Sequence, residues 1–395
     1  MITHLRTPYN ASFDQAVYQR MLDWITKEAG IAPAFHVAET PVFIPAYVKQ
    51  RLLQAGADVI EVVTRPGFRE FAQAAIPSGQ AVPGQTQHPL FLQMDFGMCL
   101  DEAGKIIPQL VEAQGFPSLY FFQDLLAEAY RTFFDIPESF SSRFGGLSVE
   151  DYQELLGRTI LHGEQAENVI LLEVEPQKQA TRIDFVVAVK RLGIAEVCIS
   201  DLKKEGRKLY YYRNGVKTQV KRIFNRVIFD ELLKRDDLEL EYHLTEEVEV
   251  GWAGHPDWFA MLSKHTMPLF DSPYVPKSYF LNQAPLEELD LREYVLKPLY
   301  SFAGQGVNLY PKLADLKAIE DPKNYILQRK VEYAPLVETL DEPARAEVRL
   351  MYLWPPEDPQ PTLINNLVRL SKGEMVGVRY NKGKTWVGGS IGYFE

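Results

Sequence analysis

The chain has 395 residues, more than one hydrophobic core usually organises, so two or three subdomains are expected. With 46% hydrophobic, 24% charged and 12% aromatic residues it reads as globular and not disordered. A net charge of −11 argues against a general nucleic-acid-binding surface, because phosphate affinity comes mainly from Lys and Arg, yet it leaves room for a local basic pocket. Cys99 and Cys198 lie far apart, with no CxxC and no histidine at ligand spacing, which argues against a disulfide framework or a zinc site. The N-terminal stretch lacks a signal-type apolar core and no run reaches membrane-spanning length, so a cytoplasmic, membrane-free protein is the expectation.

In chain order, residues 12–28 have apolar positions at helical spacing, with Ser12 as the expected N-cap. Residues 58–63 (DVIEVV) predict a strand. Residues 88–116 predict a β-hairpin: FLQMDFGMCL, the turn DEAGK, then IIPQLVEAQ. Residues 119–134 form an amphipathic helix, and the polar, Gly/Ser-rich 136–151 reads as a linker. A β–α–β unit follows: strand 168–175, helix 180–193 and strand 195–202, with parallel pairing expected. The run EPQKQATRID, 175–184, opens that helix as an anion-binding turn or a plain N-cap at Thr181. LYYYRNGVKTQVKRIFNR adds a hairpin turning at Asn214-Gly215. A helix over 257–270, a Gly-bearing hairpin over 294–311, the strand YILQRKVEY and two strands split by WPPEDPQP complete the chain before a glycine-rich tail. That tail either closes over a substrate or forms a C-terminal β-hairpin. The predicted class is α+β with an α/β subdomain, divided as 1–135, 136–250 and 251–395.

Two hairpins carry the chemistry. Period-two alternation puts Glu112 and Gln114 on one face of the first, with Asp95 on the facing arm. Three oxygen-bearing side chains with open positions left to water and phosphate suit Mg²⁺ on a nucleotide; solvated acids on an edge strand fit the same pattern. The second, YVLKPLYSFAGQGVNLYP, joins Lys297 to Gly304-Gln305-Gly306 and reads as a phosphate clamp or an ordinary turn. No HExxH, nucleophile elbow or papain-like cysteine competes with these.

MDFGMCLDEAGKIIPQLVEAQGFPSL resembles the metal-binding signature of the glutathionylspermidine synthase-like enzymes, a circularly permuted ATP-grasp family. The resemblance implies Mg²⁺ held by Asp95, Glu112 and Gln114, with glutamine standing where the family has asparagine. The family arginine two positions before the Asp is Gln93 here, which removes an expected cation. The "KPxxGxxGxxV" lid of the family is similar to the segment around Lys297, which would meet the ATP phosphates with Ser301, Gly304, Gln305 and Gly306 closing over them. Lys264 would be the second phosphate lysine, and Gln328, Lys330 and Val331 the adenine hinge. Glu347, Arg349, Asn365 and Arg369 alternate on strands that the family packs around the phosphates, and Arg349 is the expected phosphate or acyl-phosphate ligand. Motifs cover 88–120 and 256–350; residues 1–87 carry none. The implied activity is an ATP-dependent carboxylate–amine ligase with small-molecule acid and amine substrates, ATP and Mg²⁺. A catalytically silent nucleotide-binding scaffold and a non-enzymatic assembly protein are the alternatives. On this reading Asp95→Ala abolishes turnover and leaves the fold intact.

Overall fold

The computed structural model describes residues 1–299, 306–373, 376–377 and 380–395. Its centre is an antiparallel five-stranded sheet, in spatial order Gly388–Ser390, Thr362–Ser371, Arg345–Leu353, Phe91–Leu100 and Ile106–Gln114. Strands from both ends of the chain are therefore neighbours: Phe91–Leu100 pairs with Arg345–Leu353, placing Asp95 opposite Arg349. The edge strand carries Pro108, whose missing N–H is tolerated there.

The predicted hairpin forms as read. Asp101 folds its turn, its Oδ1 accepting from the N–H groups of Ala103 and Lys105, while Gly104 takes the left-handed conformation (φ +71°) that closes it. Even-numbered residues of the long strand, Leu92, Met94, Phe96 and Met98, point into an apolar core with Val348 and Leu350. The helix Ala46–Val63 supplies the facing layer through Val48, Leu52, Ala55 and Val59, each fully buried or nearly so and contributing about 1.5–3 kcal/mol for the larger side chains. The strand predicted over 58–63 is the last turn of that helix. Apolar residues recur every three to four positions from Val48 onward, and that period outweighs the β-branched run at its end.

A second core lies on the opposite face, where the helix Tyr120–Phe133 packs Phe121, Leu125 and Tyr130 with Met351, Ile364 and Leu367. Beside it stands a parallel four-stranded sheet, in the order Gly251–Ala253, Arg222–Asn225, Val169–Glu173, Ala195–Cys198. The β–α–β expectation holds: Val169–Glu173 and Ala195–Cys198 pair in parallel across the helix Arg182–Leu192, which ends at Gly193. The hairpin turning at Asn214-Gly215 joins Lys208–Arg213 to Val216–Val220. A three-stranded sheet, Ser278–Phe280, Tyr325–Arg329 and Tyr294–Pro298, forms the remaining wall.

Other expectations are corrected locally. The helix beginning near residue 12 runs Gln15–Ala29 and is capped by Asp14, whose side chain accepts from Ala16 N–H, because Ser12 ends the preceding helix Thr3–Ser12. The linker segment already holds the start of the helix Val149–Leu161, with a capping box between Ser148 and Asp151. Thr181 occupies an N-cap position without a side-chain cap bond. Residues 257–270 form a short helix, Trp258–Met261, and a 3-10 turn, Lys264–Leu269: the backbone leaves the helical region at Leu262 and Ser263, and Pro268 lies within the second segment. The two short C-terminal strands do not pair with each other: Gly388–Ser390 joins the five-stranded sheet and Gly392–Phe394 lies parallel to Val42–Ile44. Among the described residues no helix is long and apolar enough to cross a membrane.

Gly97 marks where the walls touch. A Cβ built there would lie 2.7 Å from Val331 Cγ1 and 2.9 Å from the Tyr333 ring. Gly97→Ala is expected to cost about 1–3 kcal/mol through overpacking, read as a lower urea midpoint at unchanged slope.

Candidate active site

The odd-numbered face of the central sheet carries the polar groups. Gln93, Asp95 and Gly97 lie opposite Met351, Arg349 and Glu347 on one side, and Gln93 and Asp95 opposite Gln114 and Glu112 on the other. The second pairing depends on a bulge. Phe96 pairs with Leu110 but Asp95 pairs with Glu112, so Val111 is the extra residue. Without it Glu112, two positions from core-facing Leu110, would point into the core; the bulge turns it onto the face of Asp95.

Asp95 is fully buried beneath two guanidinium groups. Arg349 Nε and Nη2 donate to its two oxygens at 2.5 and 2.7 Å, and Arg369 Nη2 donates to Oδ2 at 2.7 Å. Burial pushes its carboxyl up, but the two arginines outweigh this and hold it below the usual carboxylate range. Arg349 Nη1 also donates to Gln93 Oε1 at 3.0 Å, while Gln93 Nε2 donates to Ser118 O at 2.8 Å. Thus Gln93, where the resemblance led one to expect an arginine, orients an arginine supplied by the neighbouring strand. Arg369 also reaches Glu347, whose other oxygen accepts from Tyr333. Burial raises the Glu347 carboxyl.

Lys297 comes to the same place from the three-stranded sheet. Its ammonium donates to Gln328 Oε1 and feels Glu112 and Glu347 as attractive and Lys264 as repulsive neighbours. Burial and Lys264 pull it down from the ordinary lysine value to about 8, against the two carboxylates. A lysine poised there is charged below that value and neutral above it. Its attraction for a phosphate anion is therefore expected to fall by about tenfold between pH 7 and 9, with proton uptake on binding above pH 8, measurable by calorimetric titration with pyrophosphate. Lys264 opens the 3-10 turn and is likewise lowered by burial, with Glu112 opposing.

Glu112, Gln114, Lys264 and Leu299 line a cavity of ≈ 100 Å³. Through Ile76, Pro77, Gln80 and Leu299 it continues into a groove of ≈ 960 Å³ bounded by His265, Phe280 and Lys323. Ligand sites are commonly about 300–1,000 Å³.

The structure thus brings together Asp95, Glu112, Lys264, Lys297, Gln328 and Arg349, from sequence positions two hundred residues apart. Gln114 sits on the cavity wall, its buried Nε2 lacking a hydrogen-bond partner. Gly306 has a left-handed backbone (φ +69°) and Asn308 bridges Leu296, while Ser301, Gly304 and Gln305 lie outside the described residues. Val331 packs against Gly97. Lys330 is half-buried and turned away: its Nζ donates to Arg292 O at 2.6 Å and its N–H to Glu293 O at 2.7 Å.

The implied magnesium set fits only in part. Glu112 and Gln114 stand on the cavity wall, but both oxygens of Asp95 are taken by guanidinium groups. Among the described residues no three His, Cys, Asp or Glu side chains are grouped to hold a metal.

Sequence reasoning missed Tyr333 and Arg226. Arg226 follows the carboxyl end of Arg222–Asn225, buried and stacked over Phe116 at 4.6 Å and Phe185 at 5.2 Å. Its Nε and Nη1 have no hydrogen-bond partner. Glu173, at the end of the adjacent parallel strand, is pushed up to about 7 by burial, with Arg226 opposing. The signal was a charged pair at the carboxyl ends of adjacent parallel strands, where α/β sheets tend to bind ligands.

These features match a known architecture. The fold is similar to that of a glutathione synthetase-like effector from Globodera pallida, solved in its apo form, with a TM-score of 0.59, 12% identity and 96% of each chain covered. A provisionally named gamma-glutamylcysteine synthetase from Methylobacillus flagellatus aligns over 87% of this chain and 86% of its own at 12% identity, with a TM-score of 0.41. No protein-family model and no curated protein matches the chain. At 12% identity the likeness to the effector speaks for the fold alone.

Proposed function

We propose that the chain is an ATP-dependent carboxylate–amine ligase built as a circularly permuted ATP-grasp. The observation that carries this reading is the approach of Lys297 to Glu112, which lines the cavity together with Lys264 and Leu299. The overall likeness to a glutathione synthetase-like fold supports it.

On this reading the groove holds a nucleoside triphosphate, with Lys264 and Lys297 against its phosphates. The purine edge would meet the strand end at Gln328–Val331. With the Lys330 N–H already donated to Glu293, it is left to Val331 and the neighbouring carbonyl groups. A substrate carboxylate attacks the γ-phosphorus, the bond to the ADP oxygen breaks, and Arg349 and Arg369 neutralise the acyl phosphate. An amine nitrogen then attacks the acyl carbon and loses its proton as phosphate leaves. Arg226, a buried cation with unmet donors, would hold a second anionic group of the acid. Glu112 and Gln114 would be the residues to hold Mg²⁺ on the nucleotide, where the ion would supply neutralisation of phosphate charge. Catalysis of this kind rests on positioning and charge neutralisation and needs no protein nucleophile.

The test is incubation with ATP, Mg²⁺ and panels of acids and amines, following ADP and new product masses. ADP formation that depends on both an acid and an amine supports the ligase. Tight ATP binding without ADP across all panels favours a silent nucleotide-binding scaffold, a reading to which the occupied Asp95 lends weight.

A further inference from the structure

We propose that Asp95 is a positioning residue that aims Arg349 and Arg369 at an anion, and is not a metal ligand. The inference rests on the reading of the groove as a phosphate site.

Three observations support it. Asp95 is 0% exposed, and its oxygens accept three hydrogen bonds from two guanidinium groups at 2.5–2.7 Å. A divalent cation at those oxygens would stand against two positive charges already in contact with them, a like-charge arrangement that a low-dielectric site makes expensive. Second, the fork is braced from behind. Gln93 accepts from Arg349 Nη1 at 3.0 Å and is itself tied to Ser118 O, so the plane of the Arg349 guanidinium is fixed on two sides. An arginine at position 93 would put a third cation where Gln93 presents an acceptor. Third, the pair keeps donor capacity: Arg369 Nε is buried and has no hydrogen-bond partner. Buried donors of this kind in a native site call for an anion or water. A carboxylate between two arginines holds them close together despite their repulsion, and the unmet Arg369 Nε–H is left to donate to a phosphoryl oxygen. The metal-facing role on this sheet then falls to Glu112, which the bulge at Val111 turns to the cavity.

The experiment uses the full chain and the variants Asp95→Asn, Glu112→Gln and Arg349→Met, with Asp95→Asn/Arg349→Met. Pyrophosphate affinity is measured by calorimetry in metal-free buffer, Mn²⁺ affinity by paramagnetic titration, and stability by urea unfolding. Asp95→Asn is expected to weaken pyrophosphate about tenfold, the scale of a lost charge-assisted hydrogen bond, and to leave Mn²⁺ affinity within about twofold. The double variant is expected to lose less stability than the sum of its parts. A tenfold loss of Mn²⁺ affinity in Asp95→Asn, matching Glu112→Gln, overturns the proposal. If the parent chain binds no pyrophosphate, the phosphate-site reading fails. The stability cycle then decides the anchor alone, and additive losses overturn it.

Discussion

Asp95→Ala is expected to lower unfolding stability by about 3–5 kcal/mol, the usual cost of removing one partner from a buried ion pair. The residue looks like a surface metal ligand in the sequence, where its loss should spare the fold. In the structure it is the shared acceptor of Arg349 and Arg369, and Arg349 is itself buried. Alanine leaves Arg349 with Gln93 and Arg369 with Glu347, so the larger penalty falls on Arg349. Set against a typical total of about 5–15 kcal/mol, this is a large fraction of folding stability. The pH dependence has a definite sign. Because the Asp95 carboxyl is held below its unfolded value, its stabilisation is complete above about pH 4 and is lost as pH falls through the depressed value. Urea unfolding at pH 7 checks the first claim; a midpoint shift worth under about 1 kcal/mol would mean that the guanidinium cluster does not form in solution.

Lys297→Met should have the opposite profile. Methionine keeps the length and apolar character of the stem while removing an ammonium that burial disfavours, so the unfolding midpoint should hold or rise. ATP turnover, by contrast, should fall on the order of 10²–10³-fold, the scale seen when one preorganised charge-stabilising donor is removed. Gln328, released from Lys297, cannot replace the charge. Stability by denaturant and rate by ADP release separate the two effects in one variant. If triphosphate affinity and ADP release both stay within about twofold of the parent, Lys297 does not face the phosphates and the two-hairpin site is wrong.

Several features were legible because they are written in local periods. The Asp101 turn, the alternation of Phe91–Leu100 and the β–α–β unit whose helix ends at Gly193 each follow from residues close in sequence. The helix Ala46–Val63 was misread at its end because DVIEVV, taken alone, has strand propensity; its Val59 and Val62 are buried in the helical register begun at Val48. Gln93 was taken as a missing cation, since a sequence cannot show that the facing strand supplies Arg349 in its place.

By itself, the sequence determined which side chains were available: an acidic hairpin, a lysine ahead of glycines, and alternating charges on two late strands. Tertiary structure alone decided how they are used. The bulge at Val111 set which face Glu112 takes, and the pairing of Phe91–Leu100 with Arg345–Leu353 made Asp95 an anchor for arginines. The reason is physical: alternation fixes relative faces along one strand, whereas the register between distant strands, and so the partner of every charge, is set by packing of the whole sheet.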